Sequence, residues 1–74
     1  MRKRKRYTAE VKECSYWHVK GVHSKREQAE RQLESIEERS QVFGGWDGYR
    51  ILSFGLGSLT KLEREWNKQG ERIV

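Results

Sequence analysis

Cysteine is almost absent from this chain, which contains a single one, Cys14, among its 74 residues. One thiol cannot form an internal disulfide, although a domain of this size buries only about 60% of its unfolded surface and gains little stability from its core. Cys14, His18 and His23 are candidate zinc ligands, but their spacing on one predicted hairpin is irregular and a fourth ligand is lacking. We therefore expect no metal. Such low cysteine content favours a reducing compartment such as the cytoplasm.

Long apolar runs are lacking as well. A secretory signal requires an apolar segment after its basic start, but here the basic start is followed by Thr8, Glu10, Lys12 and Glu13. No stretch approaches the roughly 20 apolar residues that cross a membrane as a helix. The sequence therefore predicts a soluble cytoplasmic protein without a membrane segment.

Most of the chain also lacks an excess of positive or negative charge. Five of the 16 basic residues stand together at the N-terminus, and the remaining 11 are matched by the 11 acidic residues. We predict a flexible basic arm at 1–6 and a single compact domain at 7–74. A cationic run of this kind is attracted by phosphate or by an acidic protein surface. The arm residues expected to contact a partner are Arg2, Lys3, Arg4, Lys5 and Arg6.

Alternating apolar and polar residues predict that YTAEVKECSYWHVKGV forms a β-hairpin. A three-residue turn at 13–15 places the apolar partners on one side, as the pairs Val11 with Trp17, Ala9 with Val19 and Tyr7 with Gly21. The opposite side then carries the pairs Lys12 with Tyr16, Glu10 with His18 and Thr8 with Lys20. A slip of one residue on one strand would mix the two sets. We therefore expect Trp17 in the core and the polar set on an open face.

The next segment, HSKREQAERQLESIEERSQVF, has the pattern of an amphipathic helix. Its apolar residues Ala29, Leu33 and Ile36 recur at helical spacing, and Ser24 is a suitable N-cap. We predict a helix from about residue 25 to residue 40 or a little beyond.

Two further elements complete the predicted fold. YRILSFG predicts a third strand, and SLTKLEREWNKQG predicts a C-terminal helix with Leu59, Leu62 and Trp66 on its apolar stripe and Gly70 at its end. The predicted fold class is α+β: a small β-β-α-β domain with an antiparallel sheet and one main helix, followed by a short C-terminal helix.

No constellation of catalytic residues is evident. Ser15, Ser53 and Cys14 have no convincing base, and the acidic residues lie mostly on one helix face. The segment FGLGSLTKLE is similar to a phosphate-binding turn but has Thr60 where the dinucleotide fingerprint needs glycine, and it lacks the Gly-Lys-Ser/Thr run of a P-loop. We expect a protein that is not an enzyme and uses no cofactor.

Candidate partner-binding residues outside the arm are aromatic or basic. Trp46 stands in the glycine-flanked turn GGWDG, where it either folds back as a plug or remains exposed as an anchor. A second candidate surface is predicted on the open face of the hairpin and consists of Tyr16, His18, Lys20 and Arg50.

The layout KRYTAEVKECSYWHVKGVHSKREQAERQLESIEERS, followed by GYRILSFG, resembles the β-β-α-β host-takeover proteins of lytic bacteriophages, in particular the small inhibitors of bacterial RNA polymerase. The likeness covers about 5–54 and lies in element order, spacing and an aromatic-rich hairpin with Tyr7, Tyr16 and Trp17. It implies a non-enzymatic protein that occupies a surface of the host polymerase. The best-known pattern has a strongly acidic binding surface, whereas this chain adds a basic arm and a predicted C-terminal helix. No individual binding residue is therefore carried over.

These observations lead to two main functional hypotheses. The first is a monomeric phage-type regulator that binds bacterial RNA polymerase in the host cytoplasm and alters initiation or termination, with the arm near nucleic acid. The alternative is a direct DNA- or RNA-binding module that uses the arm and the open sheet face, and it should keep a sequence preference after residues 1–6 are removed. An inhibitor of another host defence protein or nuclease is a third possibility.

Overall fold

A computed structural model describes residues 5–43, 45–55 and 59–74, with the backbone alone for 40–43. The elements in chain order are β1 (Lys5–Glu13), β2 (Tyr16–His23), α1 (Arg26–Phe43), β3 (Gly48–Gly55) and β4 (Lys61–Asn67). The four strands form one antiparallel sheet in the order β2-β1-β3-β4. The α+β class is thereby confirmed.

The core lies between α1 and one face of the two central strands. Ala29 and Leu33 of the helix are buried against the sheet. The sheet contributes four side chains to this cluster, which are Ala9 and Val11 of β1 and Tyr49 and Ile51 of β3. The apolar stripe of the helix is as predicted, and YRILSFG forms the predicted third strand. Full burial of one aliphatic side chain stabilises the fold by about 1.5–3 kcal/mol, so this cluster provides most of the driving force for docking the helix.

The register of the hairpin differs from the predicted one. The turn contains two residues, Cys14 and Ser15, whose φ angles of 49° and 73° are both positive, as in a type I′ turn. Val11 therefore pairs with His18 rather than with Trp17, and a bulge between Ala9 and Glu10 shifts the register again, so that Ala9 pairs with Gly21. The expected pairs are wrong because the sequence does not indicate a two-residue turn here. A type I′ turn favours Asn-Gly, and Cys14-Ser15 contains neither residue.

This change exchanges the two faces of β2 from Tyr16 to Val19, whereas Gly21, beyond the bulge, lies on the helix side as predicted. Directly paired residues project on the same side of a sheet, so His18 lies on the helix side with Val11. Trp17 and Val19 lie on the opposite side, which carries no helix and is called the open face below. The prediction that Trp17 belongs to the core beneath the helix is therefore wrong.

The predicted C-terminal helix is also wrong, because Lys61–Asn67 forms strand β4 beside β3. Leu62 and Trp66 are four residues apart and satisfy a helical stripe, but in the strand a bulge between Ile51 and Leu52 of β3 shifts the register and puts them on opposite faces of the sheet. Helix and strand are not separable by periodicity in so short a segment. Pairing with β4 satisfies the backbone of β3, which would otherwise end the sheet with unpaired groups.

The far edge of β4 is covered by the end of the chain. Backbone hydrogen bonds join Glu65 to both Ile73 and Val74. The turn between them is held by the Asn67 side chain, whose Oδ1 accepts bonds from two backbone amides. Gly70, predicted to end a helix, has φ 82° in this turn.

The basic N-terminal segment is partly structured. β1 begins at Lys5, and Lys5 and Arg6 pair with Gly55 and Phe54 of β3. The strand therefore starts inside the predicted arm of 1–6. Arg2, Lys3 and Arg4 lie outside the described residues, as does Ser58, the first residue of the segment predicted as the C-terminal helix. Among the described residues, no helix has the length and apolar character needed to span a membrane.

Candidate binding surfaces

The candidate residues predicted outside the arm do not form one surface. Tyr16, His18 and Lys20 lie towards the helix side of the sheet, where His18 and Lys20 contact Trp46. Arg50 pairs with Glu10 and lies on the open face. The predicted open-face group is corrected accordingly: three of its members join Trp46 on one side, and the fourth stands on the other.

Trp46 is positioned by two hydrogen bonds that tie its loop to the tip of the hairpin. The backbone amide of Asp47 donates to the carbonyl of Lys12 at 2.8 Å, and Asp47 Oδ2 accepts a bond from the amide of Cys14 at 2.9 Å. Trp46 is thereby held half-buried against the core, with its ring centroid 6.2 Å from that of His18. It folds back on the domain and remains only partly exposed.

A cleft of about 630 Å³ opens beside Trp46, between α1 and β2. We call it the Trp46 cleft. Its lining residues are Glu13, Lys20, Gln32, Ser35, Ile36, Arg39, Gly45 and Trp46. The volume lies within the range of about 300–1,000 Å³ that is typical of ligand pockets.

The cleft has two cationic groups over an apolar wall. The Lys20 ammonium lies 4.8 Å from the centroid of the Trp46 ring, which is a cation–π contact. Arg39 Nη2 donates a hydrogen bond to Ser35 Oγ at 3.2 Å, one helical turn away. Ile36 provides the apolar wall on the helix.

The open face has a partnered charge at its centre. Arg50 Nε and Nη2 both donate to Oε1 of Glu10, at 3.0 and 2.8 Å, and Thr8 Oγ1 donates to the other carboxylate oxygen at 2.6 Å. The Arg50 guanidinium lies 4.1 Å from the centroid of the Trp17 ring. Glu10 is only 4% exposed. The stack of Trp17, Arg50 and Glu10 covers the centre of this face in place of a helix.

Apolar side chains surround this stack and remain exposed. Val19 and Val22 of β2 are 58% and 51% exposed, and Phe54 of β3 and Leu62 of β4 are more than one-third exposed. Each of the four pairs with a residue that projects on the same side of the sheet as Glu10, so all four lie on the open face.

Sequence reasoning missed several residues of both surfaces. Trp17 was assigned to the core because the turn was given three residues instead of two. Gln32, Ser35 and Arg39 were overlooked because they occupy polar positions of α1, which resemble an ordinary solvated helix face. Their spacing of three and four residues puts them on one flank of the helix, and that was the available signal.

One titratable group is clearly shifted. The Ser53 hydroxyl donates to Glu63 Oε2 at 2.7 Å. This hydrogen bond lowers the pKa of Glu63 below its usual value, with smaller contributions from Lys61, Lys5 and Arg26 against a modest opposing effect of burial. In the described part of the chain, no three His, Cys, Asp or Glu side chains cluster in a way that could hold a metal ion.

No protein-family model, curated protein or solved structure matches this chain.

Proposed function

We propose that the protein is a non-catalytic regulator that docks on another protein through the open face of its sheet. The observation that carries this proposal is an uncovered sheet face on which Val19, Val22, Phe54 and Leu62 are exposed around a stack of tryptophan and arginine. Tryptophan and arginine are enriched among the residues that dominate protein interfaces, and such residues act best when surrounding apolar contacts exclude water.

Arg50 is prepared for this role by its intramolecular contacts. Glu10 and Trp17 fix the guanidinium, so little side-chain entropy is lost when a partner binds its remaining donors. The face therefore offers a rigid polar centre within an apolar rim, which is the anatomy of a protein-binding patch.

The composition of the open face favours a protein over nucleic acid. Branched aliphatic side chains provide no stacking surface for bases, whereas phosphate binding needs cations that are free of acidic partners. The central cation, Arg50, is already paired with Glu10.

The partner we propose is bacterial RNA polymerase or its transcription complex, and binding would alter initiation or termination. This identification rests on the resemblance of the hairpin, helix and third strand to phage inhibitors of that enzyme. Lys5 and Arg6 pair with Gly55 and Phe54 at the end of β3, so these two basic residues lie at one end of the docking surface. From there they would reach an acidic patch or a neighbouring nucleic acid.

Direct binding of DNA or RNA is the second candidate, and one arrangement favours it. Trp17 is accompanied by two cations, Arg50 at 4.1 Å and Lys12 at 6.0 Å from its ring, and Phe54 with Arg6 lies on the same face. Aromatic and basic side chains together are the usual means of binding single strands.

The test is binding of the full chain to purified bacterial RNA polymerase at low salt, with and without nuclease treatment. We expect stoichiometric association that survives nuclease and that is weakened at least tenfold by the double substitution Val19→Ser and Phe54→Ser. Tyr16→Ser is the matched control, because Tyr16 is 72% exposed but lies on the other side of the sheet. Circular dichroism confirms that each variant is folded.

Three outcomes would contradict parts of the proposal. No association with polymerase at low salt would exclude that partner. Equal losses for the double variant and for Tyr16→Ser would exclude the open face as the docking surface. Recovery of nucleic acid alone, retained after removal of residues 2–4, would establish the nucleic-acid alternative.

A further inference from the structure

The Trp46 cleft contains two cations without acidic partners in the described part of the chain. In that part of the chain, ion pairs join Arg26 to Glu30 and Arg50 to Glu10, and the Glu13 carboxylate lies beside the His18 ring. Neither Lys20 nor Arg39 takes part in any of them. Among the described lining residues Glu13 is the single acidic one, and it lies 3.6 Å from His18 Nε2. The lining is therefore cationic, and its two cations are available to an external anion.

One wall of the cleft is held rigidly. Gln32 Nε2 donates to the backbone carbonyl of Lys20 at 3.0 Å, and Gln32 Oε1 bonds with His23 Nε2 at 2.6 Å. This approach requires glycine at position 21, because a Cβ there would collide with Gln32 Oε1. The Gln32 amide is thus held through both its nitrogen and its oxygen, and it binds the backbone carbonyl of Lys20.

The position of Lys20 limits the kind of ligand that fits. Its ammonium lies over the Trp46 ring, so a nucleobase could not stack on that face of the ring without displacing it. A carboxylate approaching Lys20 instead retains the cation–π contact and gains an ion pair. Ile36 and the rest of the Trp46 ring then offer contact to an aliphatic group.

We propose that the Trp46 cleft binds an acidic peptide segment of a partner protein. A Glu or Asp carboxylate lies between the Lys20 ammonium and the Arg39 guanidinium, and a neighbouring aliphatic side chain packs on Ile36 and Trp46. The site lies on the opposite side of the sheet from the open face, so it does not depend on the function proposed above.

The experiment is a titration of the isotopically labelled full chain by nuclear magnetic resonance. The probe is the acetylated and amidated tripeptide Leu-Glu-Leu, and its neutral counterpart Leu-Gln-Leu is the ligand control. We expect the acidic peptide to shift the indole resonance of Trp46, assigned with Trp46→Phe, and to bind at least threefold more tightly than the neutral one.

Charge removal in the cleft should weaken this binding. Lys20→Gln and Arg39→Gln each keep a polar side chain and should each reduce affinity about two- to fivefold, which is the size of one exposed ion pair. Lys68→Gln is the matched control, because Lys68 is an exposed lysine outside the cleft lining. Raising the salt concentration from 0.05 to 0.5 M should weaken the binding of the acidic peptide and leave the binding of the neutral peptide nearly unchanged.

The proposal is overturned by equal binding of the two peptides, or by equal effects of Lys20→Gln and Lys68→Gln. Resonance shifts confined to Trp17 and its neighbours would also overturn it, because they would place the peptide on the open face. Adenosine monophosphate serves as a competing probe, and tighter binding of this nucleotide in the cleft would replace the peptide assignment by a nucleotide site.

Discussion

The two sides of the sheet use arginine in different ways. On the open face, Arg50 donates two hydrogen bonds to a nearly buried carboxylate and stacks on Trp17. In the Trp46 cleft, Arg39 donates to the hydroxyl of Ser35 and has no acidic partner among the described residues. The first arginine satisfies a charge that the fold has already taken out of water, whereas the second retains most of its capacity to bind. Arg50 on the open face is therefore structural and only partly exposed, whereas Arg39 in the cleft is exposed and has no structural charge to satisfy.

The largest expected effect is on the free energy of unfolding, and it tests directly whether the two arginines differ in their structural role. Arg50→Met keeps an apolar stem over Trp17 but leaves Glu10 without its cation, which should lower the free energy of unfolding by about 3 kcal/mol. Arg39→Met, the matched change in the cleft, should alter it by less than about 0.5 kcal/mol. Urea denaturation followed by circular dichroism measures both.

The control for this prediction is the double variant Glu10→Gln with Arg50→Met. Removing the buried charge together with its partner should recover at least half of the loss, because the cost arises from an unpaired carboxylate. A loss at Arg39→Met as large as that at Arg50→Met would show that the distinction between the two arginines is wrong.

A second prediction concerns the turn that sets which residues face each side. Cys14 and Ser15 both adopt the left-handed conformation, which costs non-glycine residues about 1–2 kcal/mol each. Replacing them together, as Cys14→Asn with Ser15→Gly, should raise the free energy of unfolding by about 1 kcal/mol without changing either surface.

Thermal denaturation and backbone nuclear Overhauser contacts check this result. The Val11–His18 pairing should be retained in the variant. Destabilisation, or a shift to the pairing of Val11 with Trp17, would contradict the register on which both surfaces depend.

The smallest expected effect is a pH-dependent change in stability at Glu63 and Ser53, on the helix side of the sheet. The pKa of Glu63 is lowered in the folded protein, chiefly by the Ser53 hydroxyl, so its contribution to stability is present above the unfolded value near 4.5. That contribution is lost as the pH falls through the lower folded pKa. Ser53→Ala should therefore reduce stability by about 0.5 kcal/mol at pH 7, because the carboxylate is well solvated.

The difference between Ser53→Ala and the unchanged chain should shrink when unfolding is measured at pH 3. A Glu63→Gln background is the control, because it removes the charge that the hydroxyl stabilises. A difference that stays constant between pH 7 and pH 3 would show that the Ser53 effect is one of packing.

The sequence predicted the elements better than their pairing. Helix α1 was foreseen because Ala29, Leu33 and Ile36 repeat at helical spacing, and strand β3 was foreseen from the short apolar run YRILSFG. The second strand was foreseen as an element, but its faces were assigned in reverse from Tyr16 to Val19. Alternation specifies two sets of residues and leaves open which set is buried, since a one-residue change in turn length exchanges them.

For the candidate surfaces too, the sequence indicated which residues take part but not how they are arranged. Trp46, His18 and Lys20 were selected from the sequence by residue type, and they do lie together. Their common location on the helix side depends on the two-residue turn, on the bulge beside Ala9, and on Asp47, which ties the Trp46 loop to the hairpin. These contacts join residues that are distant in sequence, so no local pattern could have indicated them.

The sequence by itself determined the α+β class, the amphipathic helix, the apolar set of β1 and β3, and the concentration of basic residues at the N-terminus. These properties depend on local composition and on the periods of helix and strand. The tertiary structure alone decided that 61–67 is a strand, that Trp17 and Arg50 cover the open face, and that Lys20 and Arg39 line one cleft. Each of these outcomes depends on satisfying backbone groups and a buried carboxylate through partners far along the chain, which is a property of the folded whole.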